Sequence, residues 1–357
     1  MKYLRRISGS IWGLKLKDAR QIYLTKIRPT ISYACAAWFV FSPNQRLNWA
    51  LNGKNIAQLE RLQYSCLKKV SGALSNCSAR ALEKELNIEH IRVYLYRLML
   101  SHRAKSLQVL DRPPYVSPVH VSPNSPILAA HPCQLLDREA QDLCGSAWQR
   151  VARNLGGDAK KLAAKWLDPK TRKDAIAKCA KQDAAKRSAE LWNDYRRKRA
   201  MKHPEHQFPL ALVEDWHPKS FQYYKGLTRA QSTMLLQCRT EFIGLNHFLH
   251  GRKVRILDGV RRIPTSDSVF LAGDFCRLFM RIPQTTVFHM FVQCEDLRAA
   301  RIQLKSRLGH TNFKRLMTEE GAVVSDWAIT FFNLDQFVWP RQDSQFRNQA
   351  DRRTTSR

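Results

Sequence analysis

Acidic residues are scarce in this 357-residue chain: thirty Asp and Glu stand against sixty Lys and Arg, a formal charge of +30. No two aspartates are adjacent anywhere, which excludes the aromatic-x-Asp-Asp turn on which a polymerase holds two metal ions at the primer end. A GxxxxGKS phosphate loop, HExxH and GxSxG are also missing, so the chemistries those motifs carry have no bearer here. Strand-like alternation is rare and the carboxylates are mostly interleaved with Lys or Arg, which leaves no acidic gathering of the RNase H kind. No apolar run approaches the roughly 18 residues that a membrane span needs. Charges spread through Met1–Lys17 leave no apolar stretch for a secretory signal. The nine cysteines are odd in number and follow no repeated spacing, which predicts reduced thiols in the nucleus or cytoplasm rather than a disulfide framework. The expectation is an intracellular chain that is not an enzyme, has no small-molecule substrate and makes no membrane contact.

What the chain does have is enough apolar surface to fold, at 44% hydrophobic and 10% aromatic residues, together with a charge that calls for a polyanion. Nucleic acid, as RNA or single-stranded DNA, is the partner this predicts. The fold class predicted is mostly α. Over 1–110 the apolar positions Ile56, Leu59, Leu62, Cys66, Leu67 and Val70 recur at a 3.6-residue period, Gly72 offers a helix stop, and Leu82, Leu86, Ile91, Leu95 and Leu98 repeat the pattern. Pro29 predicts a break or kink within the apolar stretch from Ile22 to Phe41. Residues 111–135 hold six prolines and read as an extended linker. Residues 136–205, rich in Ala, Lys and Arg, read as a basic helical arm interrupted at Pro169. A solvated face and a phosphate-tracking surface both fit this arm. Residues 206–340 form a small C-terminal helical unit in which Thr228 and Gln231 make a capping-box pattern, with a helical segment running on to Leu249. Residues 341–357 read as a disordered tail.

Candidate phosphate contacts are Arg61, Lys68, Lys69, Lys84, Arg92 and Arg97 on the first helices and Arg196, Arg197, Lys198 and Arg199 on the arm. Each also reads as the solvated side of an amphipathic helix, and the last four double as a weak nuclear-localisation cluster. Trp192 and Tyr195 beside them are either base-stacking aromatics or core anchors. Cys276, His289 and Cys294 have the spacing of a partial zinc knuckle, with Phe279 where a second Cys-x2-Cys thiolate belongs. No cofactor is required, and zinc is the ion such a trio would take. The alternative is two core thiols and a satisfied histidine.

Several segments, in order along the chain, resemble one family. KLKDARQIYLTKIRPTISYACAAWF (15–39) and LERLQYSCLKKVSGALSNCSARALEKELNIEHI (59–91) resemble the start of the thumb in non-LTR retrotransposon reverse transcriptases of the fungal type. GLTRAQSTMLLQCRTEFIGLNHFLHGRKV (226–254), QTTVFHMFVQC (284–294) and DWAITFFNLDQF (326–337) resemble that family's C-terminal region around its zinc knuckle. The resemblance implies a thumb-like bundle from Met1 onward, an absent palm, endonuclease and RNase H, and a degenerate knuckle. It thus implies a nucleic-acid-binding remnant without polymerase activity. The alternative is a relic reading frame with no selected activity.

Overall fold

A computed structural model describes residues 9, 12–39, 53–74, 77–107, 132–156, 158–202, 208–241, 287–293 and 298–331. Helix is the dominant structure and no strand occurs among them. The mostly-α class is therefore correct. The linker core 111–131 and the tail 341–357 lie outside the described residues.

Local chemistry sets the element boundaries. Helix α1 (Leu16–Ile22) passes into a π-turn (Tyr23–Ile27) and then α2 (Arg28–Ile31), with Pro29 in the first turn of α2. A proline lacks the N–H that a continuing α-helix needs, and the wider turn absorbs the interruption. Helix α3 (Cys35–Trp38) follows Ala34, which is left-handed at φ +52°. Helix α4 (Gly53–Ser71) ends at Gly72, whose φ of +72° only glycine adopts without strain. Helix α5 (Ala79–Glu85) starts on the Ser78 side chain and is separated from α6 (Ile91–Leu107) by a left-handed Asn87. Helix α7 (Pro132–Asn154) begins inside the segment expected to be extended linker, because a proline is tolerated in the first helical position.

Gly156, at φ +63°, ends that helix and Asp158 caps α8 (Ala159–Leu167). Asp168 then restarts the chain as α9 (Pro169–Lys202), its carboxylate accepting from the N–H groups of Lys170 and Thr171. The expected interruption at Pro169 is thus a one-residue corner. Helix α10 (Leu210–Val213) and a 3-10 turn (Pro218–Tyr224) lead to α11 (Arg229–Thr240), which carries the expected capping box of Thr228 and Gln231. Helix α11 ends at a left-handed Glu241 (φ +57°), and residues 242–249, where a helical segment was expected to run on, lie outside the described residues. A π-turn (His289–Gln293), α12 (Arg298–Leu308), α13 (Phe313–Thr318) and α14 (Gly321–Phe331) complete the described chain.

These elements gather into two compact units that are interleaved in sequence rather than consecutive. One comprises residues 27–63 and 89–194. Its core is formed by α3, α6, α7, α8 and the first part of α9, through Cys35, Phe39, Leu95, Met99, Ala147, Trp166 and Ile176, all buried. The other comprises 1–26, 64–88 and 195–357, where α11 packs on α10, α13 and α14. There Gly321 lies so close to α11 that an added Cβ would stand 2.7 Å from a methyl of Leu235.

The centre of this second unit is ionic. Arg239 of α11 is buried and donates to both carboxylate oxygens of Glu85 at 2.8 and 3.1 Å, to Glu214 at 2.5 Å and to the Met317 carbonyl at 3.0 Å. Lys84, also fully buried, donates to Glu85 at 2.9 Å and Glu214 at 2.6 Å. The Tyr224 hydroxyl donates to Glu85 at 2.5 Å. Burial alone would raise the Glu85 carboxyl, but Arg239 and then Lys84 outweigh it and hold it down to about 2. Arg229 of α11 is buried too and gives its guanidinium to the carbonyls of Gly9, Lys69 and Val70, the last two at the C-terminal end of α4. A cation there meets the negative end of the helix dipole, while burial pushes its pKa down to about 10.

Removing one partner strands a buried charge. Arg239→Met is expected to cost about 3–5 kcal/mol of unfolding free energy, measured as a urea midpoint. Because the folded pKa of Glu85 is depressed, its contribution is complete above the ordinary carboxylate range and is lost as pH falls from about 4.5 toward 2. Glu241 has the opposite sign. Burial raises it to about 7, so it favours the fold at low pH and that preference disappears as pH rises through 4.5 to 7. Glu241→Gln is expected to gain on the order of 1–2 kcal/mol over the parent at pH 8 and little at pH 4. A Glu241→Gln stability gain that does not grow with pH contradicts this.

Candidate nucleic-acid interface

The basic residues divide by what they touch. Lys84 was an expected phosphate contact, and its burial between Glu85 and Glu214 removes it from any surface. Arg92 bonds Glu60 at 2.5 Å, and Arg97 bonds Glu89 at 3.0 Å with its guanidinium 5.3 Å from the centre of the Tyr94 ring. Arg28 lies on the same Tyr94 ring at 3.7 Å and donates to the Glu89 carbonyl. The structure therefore brings Arg92 and Arg97 into one region of the first unit, but as members of a mixed network with Glu60 and Glu89. Lys68 lies over the Tyr64 ring at 4.4 Å. Lys69 is half-buried and Arg61 is exposed.

On the arm, Arg196 bonds Asp215 at 2.5 Å and the Val213 carbonyl at 2.6 Å, and Arg199 bonds the Tyr195 hydroxyl at 3.2 Å. Arg197 and Lys198 are exposed. Trp192 is buried at 1% exposure, and Tyr195 shares its hydroxyl with Ser78 at 2.8 Å. Both aromatics thus serve the fold, which decides between the two roles the sequence left open. His289 is half-buried in the π-turn 289–293, while Cys276 and Cys294 lie outside the described residues. The neighbours of His289 are committed to packing: Phe288 meets Phe313 edge-on at 5.2 Å, and Phe291 meets Trp327 at 5.1 Å.

The surface that remains lies earlier in the arm. Lys160 and Lys165 on α8, and Lys170, Lys173, Lys178 and Lys181 on α9, are all exposed, and none is ion-paired among the described residues. Residues 158–186 carry nine Lys and Arg against four Asp. Two of those four, Asp158 and Asp168, turn their carboxylates to helix N-termini. Asp158 is pulled below the usual carboxylate range first by the Lys161 backbone N–H, and Asp168 first by the Thr171 hydroxyl. The Asp168 charge is thus directed to the backbone, while Asp158 also pairs with the Lys161 ammonium at 3.2 Å.

Helical geometry lines the lysines up. Lys170 and Lys181 are three turns apart and about 16 Å along the axis on nearly the same face, with Lys178 within about 80° of arc. Trp166 and Leu162 anchor α8 from beneath at 8% and 5% exposure. The α9 anchors Ile176, Ala180, Ala184, Ser188 and Trp192 are all buried at a strict four-residue spacing. A four-residue stripe winds about 40° per step around an α-helix, so α9 never shows one fixed apolar face. The signal for this lysine face was present in the run AKKLAAKWLDPKTRKDAIAKCAK, but composition alone did not distinguish its bare lysines from the paired arginines downstream.

The first unit also holds a cleft of about 580 Å³ bordered by α6, α7 and α9. Six of its polar groups are paired with one another. Tyr96 donates to Glu139, Arg187 to Asp183 at 2.6 Å, and Arg150 to Gln182 at 2.8 Å. The lysine face is the better candidate for an external anion.

No protein-family model, curated protein or solved structure matches the chain.

The two kinds of basic residue differ in what their loss does. Lys84→Met is expected to lower stability by about 3–5 kcal/mol. Lys165→Gln and Lys170→Gln are expected to change it by no more than about 0.5 kcal/mol. Thermal or urea unfolding of the three variants checks this, and equal effects would contradict the division.

Proposed function

We propose that this chain is a non-catalytic nucleic-acid-binding piece of a non-LTR-type reverse transcriptase, and that it binds through the lysines of α8 and α9. The observation that carries the reading is the set of exposed, unpaired lysines Lys160, Lys165, Lys170, Lys173, Lys178 and Lys181. Phosphate is the ligand that suits them: lysine is a compact point charge without fixed directionality, fitted to a repeating anion and not to a base edge. The resemblance of residues 15–39 and 59–91 to a reverse-transcriptase thumb, and the missing Asp-Asp pair, support binding without polymerisation. RNA and single-stranded DNA were the expected forms. With Trp192 and Tyr195 committed to the fold, stacking no longer favours single strands over duplex, so the reading concerns nucleic acid generally.

The reading of the chain as a relic is disfavoured by the ionic centre. Five groups there satisfy one another, and random loss of any one would cost several kcal/mol.

The test is a salt titration of full-chain binding to labelled RNA and DNA. Log affinity is expected to fall linearly with log salt, with a slope of magnitude about 4 or more. Replacing Lys165, Lys170, Lys178 and Lys181 by Gln is expected to reduce that magnitude by about 3, with little dependence on sequence. A slope that the fourfold variant leaves unchanged would refute the assignment to this face.

A further inference from the structure

Within the lysine face stands one residue that phosphate binding does not explain. Leu167, the last residue of α8, is 74% exposed, although Leu162 and Trp166 of the same helix are buried. Only Asp168 separates it from α9. That corner is stiff: the Asp168 carboxylate accepts from the Lys170 and Thr171 N–H groups and from the Thr171 hydroxyl at 2.5 Å, and Pro169 fixes its own φ. Lys160 stands about two turns before Leu167 on the same side of α8, Lys165 lies two residues before it on another side, and Lys170 and Lys173 follow three and six residues after it. Chain geometry alone keeps Lys165 and Lys170 within about 10 Å of the leucine backbone.

We infer that Leu167 is an apolar wedge that enters a base step of duplex DNA from the minor groove, so that this surface bends the duplex. The inference rests on the phosphate-binding reading of the same lysines. A minor groove about 6 Å wide admits one aliphatic side chain, and a phosphate backbone runs along each edge. A rigid corner with a leucine at its tip and lysines on both arms matches that arrangement. The lysines neutralise the two backbones, and the leucine meets the bases between them. Insertion partly unstacks a step, an energetic cost offset by the extra phosphate contacts that a bent duplex brings to the arms.

Two other partners fit less well. A single strand is held by aromatic stacking, and the arm's aromatics are engaged in the fold. An anionic membrane needs a continuous apolar face. On α8 that face is buried through Leu162 and Trp166, leaving one leucine to insert.

The experiment uses the full chain and a duplex of about 25 base pairs with a fluorophore at each end. The duplex is short against the roughly 150-base-pair persistence length, so end-to-end energy transfer reports bending. Wild type is expected to raise the transfer. Leu167→Ala is expected to bind within about threefold of wild type, because the unstacking cost and the extra phosphate contacts disappear together, with a salt slope no steeper than that of wild type, yet to lose most of the rise. Leu167→Met, another wedging side chain, is expected to keep it. Leu167 is exposed, so unchanged melting temperatures confirm that both variants fold. Bending by Leu167→Ala equal to wild type overturns the wedge. So does duplex binding with no bend by wild type, which leaves the phosphate reading standing. Failure to bind any nucleic acid removes both. Leu167-dependent binding to phosphatidylserine vesicles in place of DNA overturns the wedge in favour of a membrane surface.

Discussion

A guanidinium keeps its proton near neutral pH, so a fold that buries one must surround it with acceptors. Arg239 imposes that requirement on the second unit. Its five donors draw Glu85 from α5, Glu214 from the end of α10 and the Met317 carbonyl from α13, and the Tyr223 ring lies 4.4 Å below it. Glu85 in turn recruits Lys84 and Tyr224. Elements distant in sequence are thereby fixed by a few groups whose charges have no cheaper arrangement once water is excluded. Hydrophobic contacts such as Leu235 against Gly321 then pack around positions already determined.

The same physics sorts basic residues in the described part of the chain. Those drawn into the fold are mostly arginines: Arg28 and Arg97 on Tyr94, Arg187 on Tyr96, Arg229 on three carbonyls, and Arg239 in the ionic centre. The flat fork of arginine stacks on rings and satisfies several acceptors at once. A buried ammonium needs closer compensation, and Lys84, the one fully buried lysine among the described residues, has two carboxylates. The lysines of α8 and α9 remain in water. A net charge of +30 is therefore not spread evenly in its availability. Among the described residues, the arginines named above are occupied internally, and the lysines of α8 and α9 are open to a polyanion.

This sorting explains which features were legible in the sequence. Local rules read well. The capping box at Thr228, the stop at Gly72, the corner at Pro169 and the period of α4 all depend on residues within a few positions of one another, and each occurs as written. Leu62 is a partial exception: the 3.6-residue pattern includes it, yet it remains 36% exposed while Gln63 beside it is buried. Pairing read poorly, for a physical reason. Lys84 meets Glu214 across 130 residues and Arg239 meets Glu85 across 154, so apart from Glu85 beside Lys84 nothing near either basic residue announces that its charge is spoken for. Trp192 shows the same limit for aromatics. Its helix buries a winding stripe of alanines and a serine, which carries no amphipathic signature.

The corner between α8 and α9 joins these two lessons. Asp168 and Pro169 are strong local signals, and they correctly mark a break. What the break accomplishes depends on charge bookkeeping that local rules do not reach. The Asp168 carboxylate accepts from backbone N–H groups and stiffens the turn without forming an ion pair with Lys165 or Lys170, while Asp158 caps α8 and also pairs with Lys161 at 3.2 Å. An ordinary surface helix neutralises its lysines with acids at the next turn. Here Asp168 serves the backbone, and the result is a rigid edge that carries, on both sides of an exposed leucine, lysines that form no ion pair among the described residues. A chain selected only for solubility would gain nothing from the leucine, and one selected only for its fold would have no use for leaving the lysines bare. Recognition of a polyanion that carries apolar surface between its charges would account for both, and nucleic acid is the polyanion we propose.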